Sequence, residues 1–262
     1  MACDSSYSPK AVPCRSLPTM TSASETAGRG RRAAALEVSR LADELVARTE
    51  RYHRLTFPRR AEFLLTASEE EHRRRSGGSA RFRVLPVRGR LFIAPRSMTE
   101  ARQRKIHLDV YLQHELSHSL LHQRAGWFGW MAFPPWFEEG LATHSANQLG
   151  VDGYFDRQQV LDWWRAGRAV PPSEWASRLH DSKLIDALPE GKRMYFVYSQ
   201  FAVMIEDLQA RGGRDRFQSL IERLLRGEAM AKAFFAEYQK TPDEYFSDLV
   251  ARSRPSNAGP DK

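Results

Sequence analysis

Cysteine is nearly absent from this chain. Cys3 and Cys14 are the two in 262 residues, and both lie in a polar, Ser- and Pro-containing leader, so no disulfide framework holds the fold. No stretch of about 20 apolar residues occurs, which excludes a transmembrane helix from the sequence reading. The first twenty residues, MACDSSYSPKAVPCRSLPTM, carry no apolar h-region, so export is not expected and a cytoplasmic location is the default unless the start codon is misassigned. The chain also lacks any internal repeat. Lysine is scarce beside arginine: the net charge of +8 and pI of about 9.7 come mainly from arginines scattered through Arg29–Arg32, Arg59–Arg60, Arg73–Arg75 and Arg81–Arg90. No base-reading module accompanies them. The default is a solvated arginine-rich surface, with a nucleic-acid partner as the alternative.

What is present is ample apolar material, 42% of the residues, enough for a core in a chain of this length. Residues 1–32, ending in Gly28, Arg29, Gly30, Arg31 and Arg32, read as a flexible tail. Order is expected from Ala33, where Leu36, Val38, Leu41, Leu45 and Val46 mark an amphipathic helix reaching Tyr52. Short strands are expected at Glu62–Thr66, Ala80–Leu85 and Arg90–Ala94, with EEEHRRR between the first two as a solvated helical face. The run Arg104–Arg124 holds apolar residues at Ile106, Leu108, Val110, Leu112, Leu116 and Leu120 without Pro or Gly, and reads as a helix stopped by Gly126. After Asp156 the pattern is almost wholly helical, punctuated by Gly167, Pro171, Pro172, Pro189, Gly191, Gly212, Gly213 and Gly227. Pro242 opens a last helix to about Arg252, and residues 254–262 read as a tail. The expectation is one α+β domain over 33–253, with its sheet in about 33–100 and a helical part over about 101–253.

Inside the Arg104–Arg124 helix stand His114, Glu115 and His118, an HExxH stretch. Residues four apart on a helix share one face, with Cβ atoms about 5–6 Å apart, so two imidazoles can converge on one metal ion. Glu115, one step round the helix, can reach a water on that metal without being a ligand, which makes it the natural general base. A hydrolytic zinc site needs a third protein ligand and an open fourth position, and a glutamate about twenty residues downstream can supply the ligand. HExxH alone is too common to settle function. The metzincin pattern fails, because Leu121 and Arg124 occupy the positions that would need Gly and His. His122 shares the face of His114 and His118, yet two turns of helix hold the outer pair about 12 Å apart, too far to chelate one ion. His122, His107 and His144 are therefore read as hydrogen-bonded, solvated or packing histidines, with an outer role beside the metal as the alternative.

Downstream, Pro134 and Pro135 precede Trp136, Phe137, Glu138, Glu139, Gly140, Leu141 and Ala142, the first turns of a further helix. With the HExxH stretch, this resembles the gluzincin metallopeptidases, with their W-x-x-E-G-L/F-A signature, and the peptidase MA-like domains. The likeness covers mainly residues 104–145, with a weaker extension over 190–253. It implies a zincin-like fold with a small mixed sheet on the HExxH helix, one zinc ion held by His114, His118 and Glu139, and hydrolysis of a peptide or protein substrate. Glu138 is the competing third ligand, being one residue closer to the spacing of the thermolysin branch. In the family the sheet edge can pair with extended substrate, a role for which Arg90–Ala94 is the candidate, an interior strand being the other reading. The resemblance also implies a downstream donor to the carbonyl oxygen of the substrate. Tyr195 and Tyr198, on a helix expected over Met194–Leu208, are the candidates, against ordinary buried tyrosines. Trp127, Phe128, Trp130, Phe133, Trp136 and Phe137 crowd the link between the two ligand helices, as core packing first and a substrate wall or exposed patch second. A noncatalytic zinc-stabilised interaction module is the rival to the enzyme, and substrate, cleavage mode, activation and oligomeric state stay open.

Overall fold

Helix formation follows the punctuation of the sequence. The computed structural model describes residues 25–85, 89–176 and 191–253. In chain order these form α1 (Glu25–His53), β1 (Phe63–Leu65), α2 (Glu69–Ser76), β2 (Phe82–Leu85), β3 (Arg90–Ile93), α3 (Pro95–Arg102), α4 (Leu108–Trp130), α5 (Pro135–Ser145) and α6 (Arg157–Arg165). A 3-10 turn at Pro172–Trp175 precedes α7 (Arg193–Leu225), α8 (Met230–Tyr238) and α9 (Pro242–Arg252). Local chemistry fixes several ends. Asp156 with Gln159, and Thr241 with Glu244, close reciprocal capping boxes at the starts of α6 and α9, satisfying donors that a helix N-terminus leaves unpaired. Gly126 (φ 63°, ψ −172°) breaks α4 and Gly213 (φ 78°, ψ 157°) breaks α7; α4 nevertheless resumes for a turn to Trp130.

Two expectations change. Helix α1 begins at Glu25, so residues 25–32 belong to a helix where a tail was expected; residues 1–24 and 254–262 lie outside the described residues, as does Pro189. A basic stretch with few apolar residues carries little core-facing signal, and its helical state follows from continuity with the packed part of α1. The second change concerns the sheet. Its order is β1-β3-β2, with β1 parallel and β2 antiparallel to β3, so Arg90–Ala94 supplies the central strand and β1 and β2 are the edges. The strand order shows why β3 is the buried one: Leu91, Phe92 and Ile93 are all buried, as a strand covered on both faces requires. The architecture is a small mixed sheet set against a mostly helical body, an α+β arrangement.

Helix α4 runs through the middle. Leu112, Leu116 and Leu120 are fully buried, and so are Gln113, Ser117 and Ser119 on its other faces. Buried polar groups of this kind need partners. Gln113 Nε2 donates to Thr49 Oγ1 at 2.7 Å, Ser117 Oγ pairs with His53 Nε2 at 2.9 Å, and Ser119 Oγ donates to the Gly89 carbonyl at 2.6 Å. These tie α4 to α1 and to the sheet side. One apolar cluster joins the sheet, α1 and the start of α4; the other joins the end of α4 to α5–α9. Within the second, α5 presses on α7 at Gly140, where a Cβ would stand 2.7 Å from Phe201 Cβ and 2.8 Å from its backbone. Only glycine permits that approach, and it brings Glu138 and Glu139 over α4.

Candidate metal centre

Three donor atoms converge where α4 and α5 meet. His114 Nε2 lies 3.2 Å from His118 Nε2 and 3.3 Å from Glu139 Oε2, and His118 Nε2 lies 3.4 Å from the same carboxylate oxygen. For a tetrahedral divalent ion bound at about 2.0–2.1 Å, neighbouring ligand atoms stand ~3.3–3.4 Å apart. The triangle fits one face of such a tetrahedron, so the cluster could hold a metal ion. Two fixtures orient it. Gln148 Oε1 accepts from His114 Nδ1 at 2.9 Å, which leaves Nε2 bare toward the centre, the arrangement usual for a ligating histidine. Tyr198 hydrogen-bonds to Glu139, and its ring stacks on that of His114 at 6.2 Å and 18°.

A second group overlaps the first. Glu138 Oε1 lies 3.5 Å from His118 Nδ1 and forms a short direct bond with His122 Nε2. His118, His122 and Glu138 are all buried and could also be gathered by an ion. The contact between Glu138 and His122, however, is a carboxylate–imidazole hydrogen bond, closer than two ligands sharing a vertex pair of a zinc site. His122 is thus hydrogen-bonded, one of the roles expected for it, but buried against a carboxylate and not solvated, and Trp130 packs edge-on against its ring at 5.7 Å. Electrostatics run through the whole group. Burial works against charge on His118, but the Glu139 and Glu138 carboxylates outweigh it and hold the imidazole well above its ordinary value. Burial likewise opposes charge on Glu139, and His118 and His114 overcome it, drawing that carboxyl down to about 2. Glu138 is pulled well down in the same way, its burial offset by His122 and His118. Two adjacent carboxylates stay ionised in a buried setting because the histidines between them carry balancing charge, a part that a divalent ion could take over.

Glu115 turns into the same cleft. Burial pushes its carboxyl above the usual range; His114 and His118 oppose the shift, and Glu139 adds to it. A carboxyl with raised proton affinity beside a cation site is suited to taking and returning a proton. The two candidate tyrosines part company. Tyr198 faces Glu139, and burial first and that carboxylate second hold its phenol protonated far above the usual range. Tyr195 stands further along the cleft, edge-on to Tyr154 at 5.0 Å.

The cleft between β2 and the α4–α5–α7 face encloses about 720 Å³ and is lined by all of these groups together with Tyr111, Tyr154, Trp130, Trp175 and Met194. Its sheet wall is formed by residues 80–84, the start of the edge strand β2 and the two residues before it, and Arg90–Ala94 takes the interior position that was the other reading of it. Of the linking aromatics, Phe133, Trp136 and Phe137 are core and Trp130 borders the cleft; the side chains of Trp127 and Phe128 lie outside the described residues. His144 Nδ1 bonds Tyr52 Oη at 2.5 Å, away from the centre, and His107 pairs with Asp152 at 2.8 Å. Gln148, Tyr154 and Arg81 escaped the sequence reading, since they are brought to the site from other segments and no local spacing marks them; Tyr111 escaped it although it lies on α4 itself. Among the described residues no helix is long and apolar enough to cross a membrane. Comparison with protein-family models, with curated proteins and with solved structures found no match.

Proposed function

We propose that the chain is a zinc-dependent peptidase of gluzincin type, as its HExxH and WFEEGLA motifs suggest. The observation that carries the reading is the triangle of His114, His118 and Glu139, with edges of 3.2–3.4 Å, opening on a cleft that also holds Glu115. Two imidazoles and one carboxylate at tetrahedral spacing are a donor set suited to zinc, and a closed structural site would spend a fourth protein ligand. Bound there, zinc supplies a Lewis acid and lowers the pKa of water.

The chain's own residues supply the rest. Glu115 accepts the proton of the attacking water and later delivers it to the leaving amine, for which its raised proton affinity is suited. Tyr198, protonated and beside Glu139, and Tyr195, further along the wall, are the hydroxyls available to donate to the carbonyl oxygen as charge builds on it. The edge of β2 offers backbone groups to an extended peptide, and Trp130, Trp175 and Met194 provide apolar surface for side chains.

The test is digestion of a diverse peptide library beside metal analysis. The expected result is one zinc per chain, cleavage abolished by chelation and restored by zinc, and a Glu115→Gln variant that keeps its metal while losing at least ~100-fold in turnover. Unchanged turnover in that variant removes the base assignment. Bound zinc with no cleavage of any peptide points to a noncatalytic, metal-stabilised module.

A further inference from the structure

Beside Tyr195, the wall of the cleft where β2 faces the first turns of α4 carries groups that hydrolysis itself does not use. Tyr111 sits one helical turn before Glu115. Its side chain is 9% exposed and lines the cleft, yet its hydroxyl has no hydrogen-bond partner. The ring is held in place, stacked on Phe82 of β2 at 5.3 Å and 17°, so the hydroxyl cannot swing away to find solvent. A fold rarely keeps a buried hydroxyl unmatched unless something else occupies its hydrogen bond.

The neighbours of this hydroxyl are donors too. Arg81 gives its Nε to Glu100 at 2.5 Å, and Tyr195 lines the same stretch of cleft. Arg83 also borders the cleft. It donates to the Gly77 carbonyl at 3.2 Å, and no carboxylate among the described residues pairs with it. Glu100 offsets Arg81, and Arg83 acts on Glu115 through its field without pairing with it, so this wall holds one cation outside any ion pair among the described residues and two phenols, all able to donate.

We propose that this wall is a carboxylate-recognition subsite, in which Tyr111, Tyr195, Arg81 and Arg83 receive an acidic group of a bound peptide. The proposal rests on the peptidase reading for its ligand and adds the substrate class: peptides carrying a carboxylate near the bond held over the metal centre. An acidic side chain and a free C-terminus present the same group. A neutral amide would leave the arginine charge unmatched, so the donors discriminate in favour of the anion.

Three N-acetylated octapeptides, the first and the third each differing from the second at one place, separate the cases. The first has an internal glutamate and an amidated C-terminus, the second an internal glutamine and an amidated C-terminus, and the third an internal glutamine and a free C-terminus. Their binding to the full-length zinc-loaded Glu115→Gln protein, followed by calorimetry, is the readout, so that the peptide survives. The expected result is that the first or the third binds about tenfold tighter than the second, and which one does so identifies the source of the carboxylate. Tyr111→Phe should cut that preference to about threefold or less while leaving Tm equal or higher, since only an unmatched hydroxyl is removed. Arg83→Met should abolish most of it. Equal binding of all three peptides, no binding at millimolar concentration, or an intact preference in both variants overturns the subsite. A wild-type protein that cleaves nothing while its preference for carboxylate persists loses the peptidase reading and keeps the subsite; one that cleaves all three peptides alike does the reverse.

Discussion

Glu138 and Glu139 are neighbours on one turn of α5, both face α4 and both are ionised, yet their surroundings set them to different work. Glu139 stands 3.3–3.4 Å from two imidazole nitrogens and opens on the cleft. Glu138 is 2% exposed, in direct contact with His122 and 3.5 Å from the far nitrogen of His118. The first position leaves a gap of the size an ion fills; the second closes it with a hydrogen bond. His118 belongs to both, offering Nε2 to one carboxylate and Nδ1 to the other. A buried acid–histidine pair beside a ligand histidine holds its ring and raises its basicity, so on the proposed reading the adjacent glutamates divide binding from orientation.

The comparison breaks first at the metal. Glu139→Ala should abolish stoichiometric metal binding, whereas Glu138→Ala should keep one ion per chain with affinity reduced ~10–100-fold. The same Glu138 variant leaves His122 buried without its carboxylate, and removing one partner of such a pair costs ~3–5 kcal/mol of stability. Calorimetric metal titration and urea unfolding of the two variants measure both effects. If Glu138→Ala loses the ion and Glu139→Ala retains it, the two roles are exchanged.

A smaller effect is expected where the two glutamates share one support. Gly140 follows them, and a Cβ there would meet the backbone of Phe201 at 2.8 Å. Gly140→Ala should therefore push α5 off α7, at a cost of ~1–3 kcal/mol, and weaken metal binding with no ligand removed. Unchanged thermal unfolding and metal affinity would show that α5 is not held in place by this contact.

That contact also explains what the sequence could and could not tell. His114, Glu115 and His118 are legible because their juxtaposition is set by one helix, and the same holds for the break at Gly126 and for Pro242 opening α9. The W-x-x-E-G pattern favours Glu139 by resemblance, but spacing does not say which of two adjacent glutamates reaches the triangle, since that depends on how α5 is set over α4, where Phe201, about sixty residues downstream, meets Gly140. The partner of His122 is hidden for the same reason. The strand order was equally out of reach: Arg90–Ala94 could be the edge that the family resemblance asks for or an interior strand, and its pairing with β1 on one side and β2 on the other decides for the interior, so the cleft wall passes to β2.

The last contrast is between the two faces of α4. On the cleft side His118 is held well above its ordinary value by carboxylates; on the opposite side His53 meets Ser117 at 2.9 Å, and burial first and the charge of His118 second draw it down to about 3. Its Nδ1 is buried with no partner, so protonation would create a second N–H with no acceptor. In the unfolded chain the same imidazole takes up its proton near 6.5. The folded state therefore keeps the full benefit of a neutral His53 above 6.5 and loses it as pH falls from there toward 3, because the unfolded chain binds the proton and the folded one does not. The slope expected from this residue is ~1.4 kcal/mol per pH unit within that window. Urea unfolding of the wild type and of His53→Leu at pH 7 and pH 5 isolates it: the variant should show the shallower loss, whatever its absolute stability, and parallel losses would mean that His53 is charged in the fold.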